Sequence, residues 1–222
     1  MSDNYMPFST ALMGSLPRSA EVLTAKALLK EGKITHKTYN QVIRDETKKV
    51  VDMQEAAGID IITNGELDRD NYISYTAQKV SGIRTMTNDE VMDYSPEDVK
   101  EKYRQSLKER DAADANINNP IAIGKIDTDA ELNQDEIDLL RELTDKPLKT
   151  TLPSPYLLTR SVWLTGVSDR YYSSRNSLGK DITRLICNEV KRLIKRGVAT
   201  IQIDDPVLTQ IVFSDDEDQT FY

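Results

Sequence analysis

The residues with the densest chemistry in this chain stand in Asn64-Gly65-Glu66-Leu67-Asp68-Arg69-Asp70-Asn71-Tyr72, directly after the apolar residues Ile59, Ile61 and Ile62. A β-branched run that ends at a glycine and then releases carboxylates, amides and a guanidinium predicts a buried strand opening into a charged loop. In a parallel sheet such loops gather at the carboxyl ends of the strands, where a rigid scaffold presents them to ligands. A second stretch repeats the pattern. Thr200-Ile201-Gln202-Ile203-Asp204-Asp205-Pro206 reads as an apolar strand ending in two acids, with Pro206 to stop it. Carboxylates at a strand tip can hold an ammonium group, orient a cation or form a hydrated turn. Two strands far apart in sequence that both deliver carboxylates point to one shared site.

Two further strand tips carry polar groups. In residues 10–18, TALMGSLPR, Gly14 and Ser15 offer backbone amides and a hydroxyl, and Arg18 offers a fixed cation for a carboxylate or phosphate. The same residues also read as a plain turn before a helix capped by Ser19, with Glu21 in its first turn. Pro153-Ser154-Pro155-Tyr156 follows a short strand and forms a stiff loop, either a rigid turn or a surface presenting backbone groups and Tyr156 to a flat ligand.

The elements that must position these tips follow from periodicity and punctuation. Strands are expected at residues 10–17, 59–63, 120–126, 148–152 and 199–203. Helices are expected at 20–30, closing at Gly32, and at 35–57, closing at Gly58, with Val42, Glu46, Val50 and Met53 at helical spacing and Lys48 and Lys49 outward. Further helices are expected at 133–144 and 157–164. The clearest amphipathic helix places Leu178, Ile182, Leu185, Ile186, Val190, Leu193 and Ile194 on one stripe and ends at Gly197. Residues 72–119 are long and polar, with a helix start at Pro96 and helical character across 99–115, so this insertion is a lid or a peripheral decoration. Five strand-to-helix steps predict an α/β fold with a parallel sheet, of barrel type or doubly wound. The absence of GxGxxG after the first strand disfavours a dinucleotide-binding sheet.

Composition bounds the function. The chain has 222 residues, 38% hydrophobic and 30% charged, which suits a soluble globular domain. With 29 basic and 37 acidic side chains the net charge is −8, which argues against a nucleic-acid surface. No apolar run reaches the roughly 20 residues of a membrane span, and the first residues lack the regions of a signal peptide, so a cytoplasmic protein is expected. The single cysteine, Cys187, leaves no internal disulfide and no Cys-rich zinc site, and its helical context predicts a buried structural thiol. The single histidine, His36, is expected to be solvated. A Ser-His-Asp or Cys-His catalytic group has little to draw on.

Four ordered motifs carry a resemblance: GSLPRS at 14–19, AAGIDIITNGELDRDNY at 56–72, KTTLPSPYLLTRSVW at 149–163 and IQIDDPVL at 201–208. Together they resemble the catalytic barrel of cobalamin-independent methionine synthase and its shorter bacterial and archaeal relatives. The resemblance implies a (β/α)8 TIM barrel, here truncated after about five β/α units. It implies a single partial domain over 1–222 with a helical insertion at about 73–119. It also implies methyl transfer from methyltetrahydrofolate to the thiolate of homocysteine, activated on zinc. Carried onto this sequence, Glu66 and Asp204 match the carboxylates that hold the amino group of homocysteine, and Ser15 matches the residue whose backbone lies by its carboxylate. Ser154 and Tyr156 are candidate folate-side contacts. Asp205 stands where the family usually has Glu. The family's zinc ligands, a His-x-Cys pair, a Glu and a second Cys, lie on later strands, and Cys187 and His36 match none of them. A barrel lacking those strands would expose sheet edges, which a second polypeptide could close. The alternatives are another zinc-dependent thiol alkylation, such as transfer onto coenzyme M, and an inactive fragment.

Overall fold

The computed structural model describes residues 7–69, 72–95, 97, 100–101 and 119–206. The expected helix over 99–115 and the acidic residues 215–218 lie almost wholly or wholly outside these residues. The chain divides into two compact units, one built from residues 1–69, 133–151 and 190–202 and the other from 70–132, 152–189 and 203–222.

The first unit begins with α1 (Ala20–Lys30) and α2 (His36–Ala56). Ser19 caps α1 by accepting the Val22 N–H at 3.2 Å, and Thr35 caps α2 by accepting the Thr38 N–H at 3.2 Å. Val22 and Ala25 of α1 pack on Tyr39 and Ile43 of α2. The buried stripe of α2 differs from the expected one. Tyr39, Ile43, Thr47, Val51 and Gln54 face inward together with Glu46, whereas Met53 is 52% exposed. Gln54 is held inward by its side-chain amide, which pairs with the backbone of Thr63: Nε2 donates to the carbonyl at 2.7 Å and Oε1 accepts the N–H at 3.1 Å. A buried amide with both ends satisfied is as well placed as an apolar side chain, and it fixes the strand end that precedes Asn64.

Strand segments in this unit line up in chain order. Ala11 bridges Ile61 in parallel, Ile62 bridges Leu148 in parallel, and the Leu148 carbonyl receives the N–H groups of Ala199 and Thr200 at 2.9 and 3.1 Å. This is the order expected of successive right-handed β/α steps. The expected strand at 59–63 narrows to these bridges at Ile61 and Ile62. Helix α5 (Gln134–Leu143) precedes β3 (Lys149–Pro153), and β3 pairs with β4 (Thr200–Asp204).

The first segment is pinned at its start by Asp60, whose Oδ2 accepts the backbone N–H of Thr10 at 2.8 Å and its hydroxyl at 2.9 Å. The backbone bond, then the hydroxyl bond, hold the Asp60 carboxyl below its ordinary pKa. A carboxylate depressed in the folded state contributes stability above its unfolded pKa, and that contribution is lost as pH falls through the folded value. Urea melts between about pH 2 and 6 should therefore show a loss of stability on acidification that is smaller in Asp60→Asn than in the parent. Identical acid slopes in the two proteins would remove Asp60 from the account.

In the second unit, α3 (Tyr72–Gln78) leads to β1 (Ile83–Met86), α4 (Asn88–Met92) and β2 (Asn119–Ala122). Strands β1 and β2 are antiparallel, with Ile83 opposite Ala122 and Thr85 opposite Pro120. This corrects the expectation that residues 120–126 join the parallel set. Pro120 brings no backbone N–H, and a two-stranded ribbon tolerates that loss. Helix α6 (Pro155–Val162) starts two residues earlier than expected, because Ser154 accepts the Leu157 N–H at 3.0 Å and Pro155 occupies the first helical position. Helix α7 (Arg175–Lys195), whose residues up to 189 belong to this unit, buries Leu178, Ile182, Leu185 and Ile186 as expected, but Ile194 is 59% exposed. Cys187 is exposed, one position past the buried stripe, which corrects the expected buried thiol. Tyr172 is 1% exposed; its hydroxyl accepts the Ile126 N–H at 3.0 Å and donates to Asp181 at 3.1 Å. No helix among the described residues is long and apolar enough to cross a membrane.

Candidate active site

The charged loop of the first unit is built on an unusual backbone. Gly65 and Glu66 both adopt positive φ, 72° and 56°. Glycine does so without cost, but for Glu66 the left-handed region costs about 1–2 kcal/mol. The Asn64 side chain supports the turn by accepting the Glu66 N–H at 3.0 Å. The Gly65 carbonyl accepts the Leu16 N–H at 2.9 Å, which joins this loop to the Gly14-Ser15-Leu16 tip.

Arg18 closes the same join. Its Nε donates to the Leu67 carbonyl at 3.2 Å, and one Nη donates to the carbonyl of Arg69. The structure thus places the expected ligand cation on the loop's backbone carbonyls, where it clamps the loop. Lys26 and Tyr39 add bonds to Asp68, the lysine to its carbonyl and the tyrosine hydroxyl to its carboxylate. Ser15 is exposed beside the loop.

At the centre is a buried cluster that the sequence reading missed. Arg69 is 2% exposed and grips Glu136 of α5 with two bonds, Nε to Oε1 at 2.8 Å and Nη2 to Oε2 at 2.6 Å. Its Nη1 donates to the Thr151 hydroxyl at 2.8 Å, and that hydroxyl donates to Glu66 Oε1 at 2.5 Å. Nη1 itself lies 3.5 Å from Glu66 Oε1. Among the described residues no group is bonded to Glu66 Oε2. The cluster thus combines two carboxylates with one guanidinium and leaves one carboxylate oxygen open at the strand tip, a receptor for a cationic donor. Arg69 was legible as a charged loop residue, but no sequence pattern pairs it with Glu136 on a distant helix.

Gly14 belongs to this geometry. A Cβ there would lie 2.5 Å from Glu66 Oε1 and 3.1 Å from the Thr151 methyl. Gly14→Ala should displace the Glu66 carboxylate from its Thr151 bond. The expected result is a roughly tenfold or greater loss of affinity for an ammonium-bearing ligand, with a stability loss of about 1–3 kcal/mol. Calorimetric titration beside a thermal melt checks both, and unchanged affinity would count against the placement of Glu66.

In the second unit, the Ser154 N–H donates to the Asp204 carbonyl at 2.8 Å, and the Ser154 hydroxyl donates to the Asp205 carboxylate. Asp205 Oδ1 is buried without a hydrogen-bond partner among the described residues. The Tyr156 hydroxyl accepts from Arg160 at 2.8 Å, and the Arg160 guanidinium lies 5.6 Å from the Tyr156 ring. Glu66, Ser15 and Arg18 therefore share the first unit, while Asp204, Ser154 and Tyr156 share the second.

Metal binding is a separate matter. Among the described residues no group of three or more His, Cys, Asp or Glu side chains is placed to hold a metal ion. His36 is exposed at the first turn of α2 and Cys187 is exposed on α7. The zinc that the resemblance implies finds no ligand set among these residues.

Parallel strand segments in chain order, with a strained acidic loop at their tips, define an α/β protein. The chain matches the cobalamin-independent synthase catalytic domain over residues 8–222, and it belongs to that family. It is 28% identical over 204 residues to a 5-methyltetrahydropteroyltriglutamate–homocysteine methyltransferase from Thermotoga petrophila, covering 91% of this chain and 24% of that protein. It is 29% identical over 207 residues to the enzyme of the same name from Proteus mirabilis, covering 93% of this chain and 24% of that protein. The chain thus spans about a quarter of the length of these relatives. Among solved structures, a B12-independent methionine synthase from Shewanella sp. W3-18-1, in complex with selenomethionine, superposes with a TM-score of 0.64 at 20% identity. That match covers 92% of this chain and 53% of that one.

Proposed function

We propose that this chain carries the amino-acid-binding part of a methyltransferase that moves a methyl group from methyltetrahydropteroyltriglutamate to homocysteine, forming methionine. The observation that carries the reading is Glu66: a carboxylate held by Thr151 on a strained turn, with Oε2 open to a ligand. In the reaction the homocysteine sulfur, having lost its proton, attacks the methyl carbon. The new bond is sulfur to carbon, the bond to N5 of the folate breaks, its electron pair stays on N5, and N5 takes up a proton that balances the one lost from sulfur. The chain's own part is to bind and orient. In the first unit Glu66 receives the ammonium group and the Gly14-Ser15 backbone lies by the carboxylate, while Asp204, Ser154 and Tyr156 keep the ammonium-side and folate-side roles that the family resemblance implies for them. Orientation of this kind lowers the barrier by removing the translational and rotational freedom of the reactants.

In this reading residues 1–222 form part of a TIM-barrel domain, with 73–119 as an insertion. The zinc-bearing strands come from sequence outside these residues or from a second polypeptide. The setting is the cytoplasm.

The test is a methyl-transfer assay on the protein with its zinc-bearing strands present, together with calorimetric titration of homocysteine. Methionine formation that requires both substrates supports the reading. Preferential binding of coenzyme M, or no binding of either thiol by folded protein, would contradict it.

A further inference from the structure

Thr151 is 3% exposed, and its hydroxyl stands between a guanidinium and a carboxylate, 2.8 Å from Arg69 Nη1 and 2.5 Å from Glu66 Oε1. A guanidinium carries donors and no acceptor, so the Thr151 oxygen accepts there. Its single proton is left for Glu66, and the first bond thereby fixes the direction of the second. The side chain has little freedom to turn away. It is β-branched, and its methyl group stands 3.1 Å from the position that a Cβ on Gly14 would occupy. The Thr151 carbonyl is held as well, by Asn133 Nδ2 at 2.9 Å and by Arg69 Nη1 at 3.3 Å.

We propose that Thr151 determines the specificity of this site for a thiol that carries an ammonium group, as a positioning residue acting through Glu66. Its proton satisfies Oε1 and fixes the plane of the carboxylate on the left-handed turn at Glu66, so that Oε2 is the acceptor presented to a ligand. An ammonium group meets that preset acceptor, whereas a thiol without one gains nothing from it. With an apolar side chain at position 151 the carboxylate loses the bond that fixes its plane, and the preference for the ammonium group goes with it. The inference rests on the reading that Glu66 receives the amino group.

The test compares L-homocysteine with its des-amino analogue, 4-sulfanylbutanoate, by calorimetric titration of the parent, Thr151→Val and Thr151→Ser, with a thermal melt of each. The parent should prefer homocysteine. Thr151→Val keeps the branch but has no proton to give, and its preference should fall about tenfold or more through weaker homocysteine binding, with the analogue held at its parental affinity. Thr151→Ser keeps a hydroxyl between the same two partners and should retain the preference. A role confined to packing gives the reverse pattern, since valine then stands in for threonine and serine leaves the space of the methyl group beside Gly14 empty. A parental preference in folded Thr151→Val, an equal loss for both ligands, or a lost preference in folded Thr151→Ser would overturn the inference, and the serine variant carries the test if the valine one fails to fold. Any of these beside a parent that prefers homocysteine leaves the reading of Glu66 standing. A parent without that preference overturns the reading itself, and the inference with it.

Discussion

Arg69→Met is expected to lower the stability of this protein by about 3–5 kcal/mol, the largest loss from any single substitution considered for this loop. The guanidinium it removes is 2% exposed, and its two bonds to Glu136 hold a carboxylate that is itself 8% exposed. Methionine fills much of the volume but offers no donor, so the Glu136 charge remains buried without its bidentate partner. Thr151 loses a donor as well, and with it the tie between α5, β3 and the acidic loop. In a chain of this length the melting temperature should fall by roughly 6–20 °C. Arg69→Lys should recover only part of the loss, since an ammonium cannot reproduce the planar fork. A thermal melt of Arg69→Met within about 1 kcal/mol of the parent would show that the pair is dispensable to the fold.

The second large effect is on binding. Glu66→Gln preserves the size of the side chain and leaves an oxygen for the Thr151 hydroxyl, so the loop should keep its shape. The substitution removes the negative charge that an ammonium group would meet. A hydrogen bond to a charged group contributes about 1.5–3 kcal/mol, so homocysteine affinity should fall about 10- to 100-fold with a melt close to the parent's. Equal affinity for the two proteins would mean that the amino group is held elsewhere. Glu66→Gly makes a useful companion: it relieves the left-handed backbone at φ 56° while deleting the carboxylate, so it should bind weakly without being destabilised by that backbone.

The sequence was informative wherever local rules act alone. Helix α1 lies where it was expected, since Ser19 supplies a cap at its start and Gly32 a positive-φ stop just past its end. The two acidic strand tips also follow from local pattern, because an apolar run ending in Gly-Glu or Asp-Asp-Pro has few other readings. What escaped depends on partners distant in the chain. Gln54 looks like a surface residue until the backbone of Thr63 meets its amide. Arg69 and Glu136 are 67 positions apart, and only the fold places one against the other. The direction of the strand at Pro120 was misread because apolar periodicity reports burial, and parallel and antiparallel neighbours bury the same residues. Cys187 sits one residue beyond Ile186, and a shift of one position on a helix turns a side chain by about 100°.

The central claim is that Glu66 receives the ammonium group of an amino-acid thiol. The most direct measurement is a crystal structure of the protein with L-homocysteine bound. The account predicts the ligand nitrogen at about 2.7–2.9 Å from Glu66 Oε2, with Thr151 still bonded to Oε1 and Arg69 still on Glu136. A ligand bound with its nitrogen away from Glu66, or Arg69 swung onto Glu66 with the ligand in place, would contradict it.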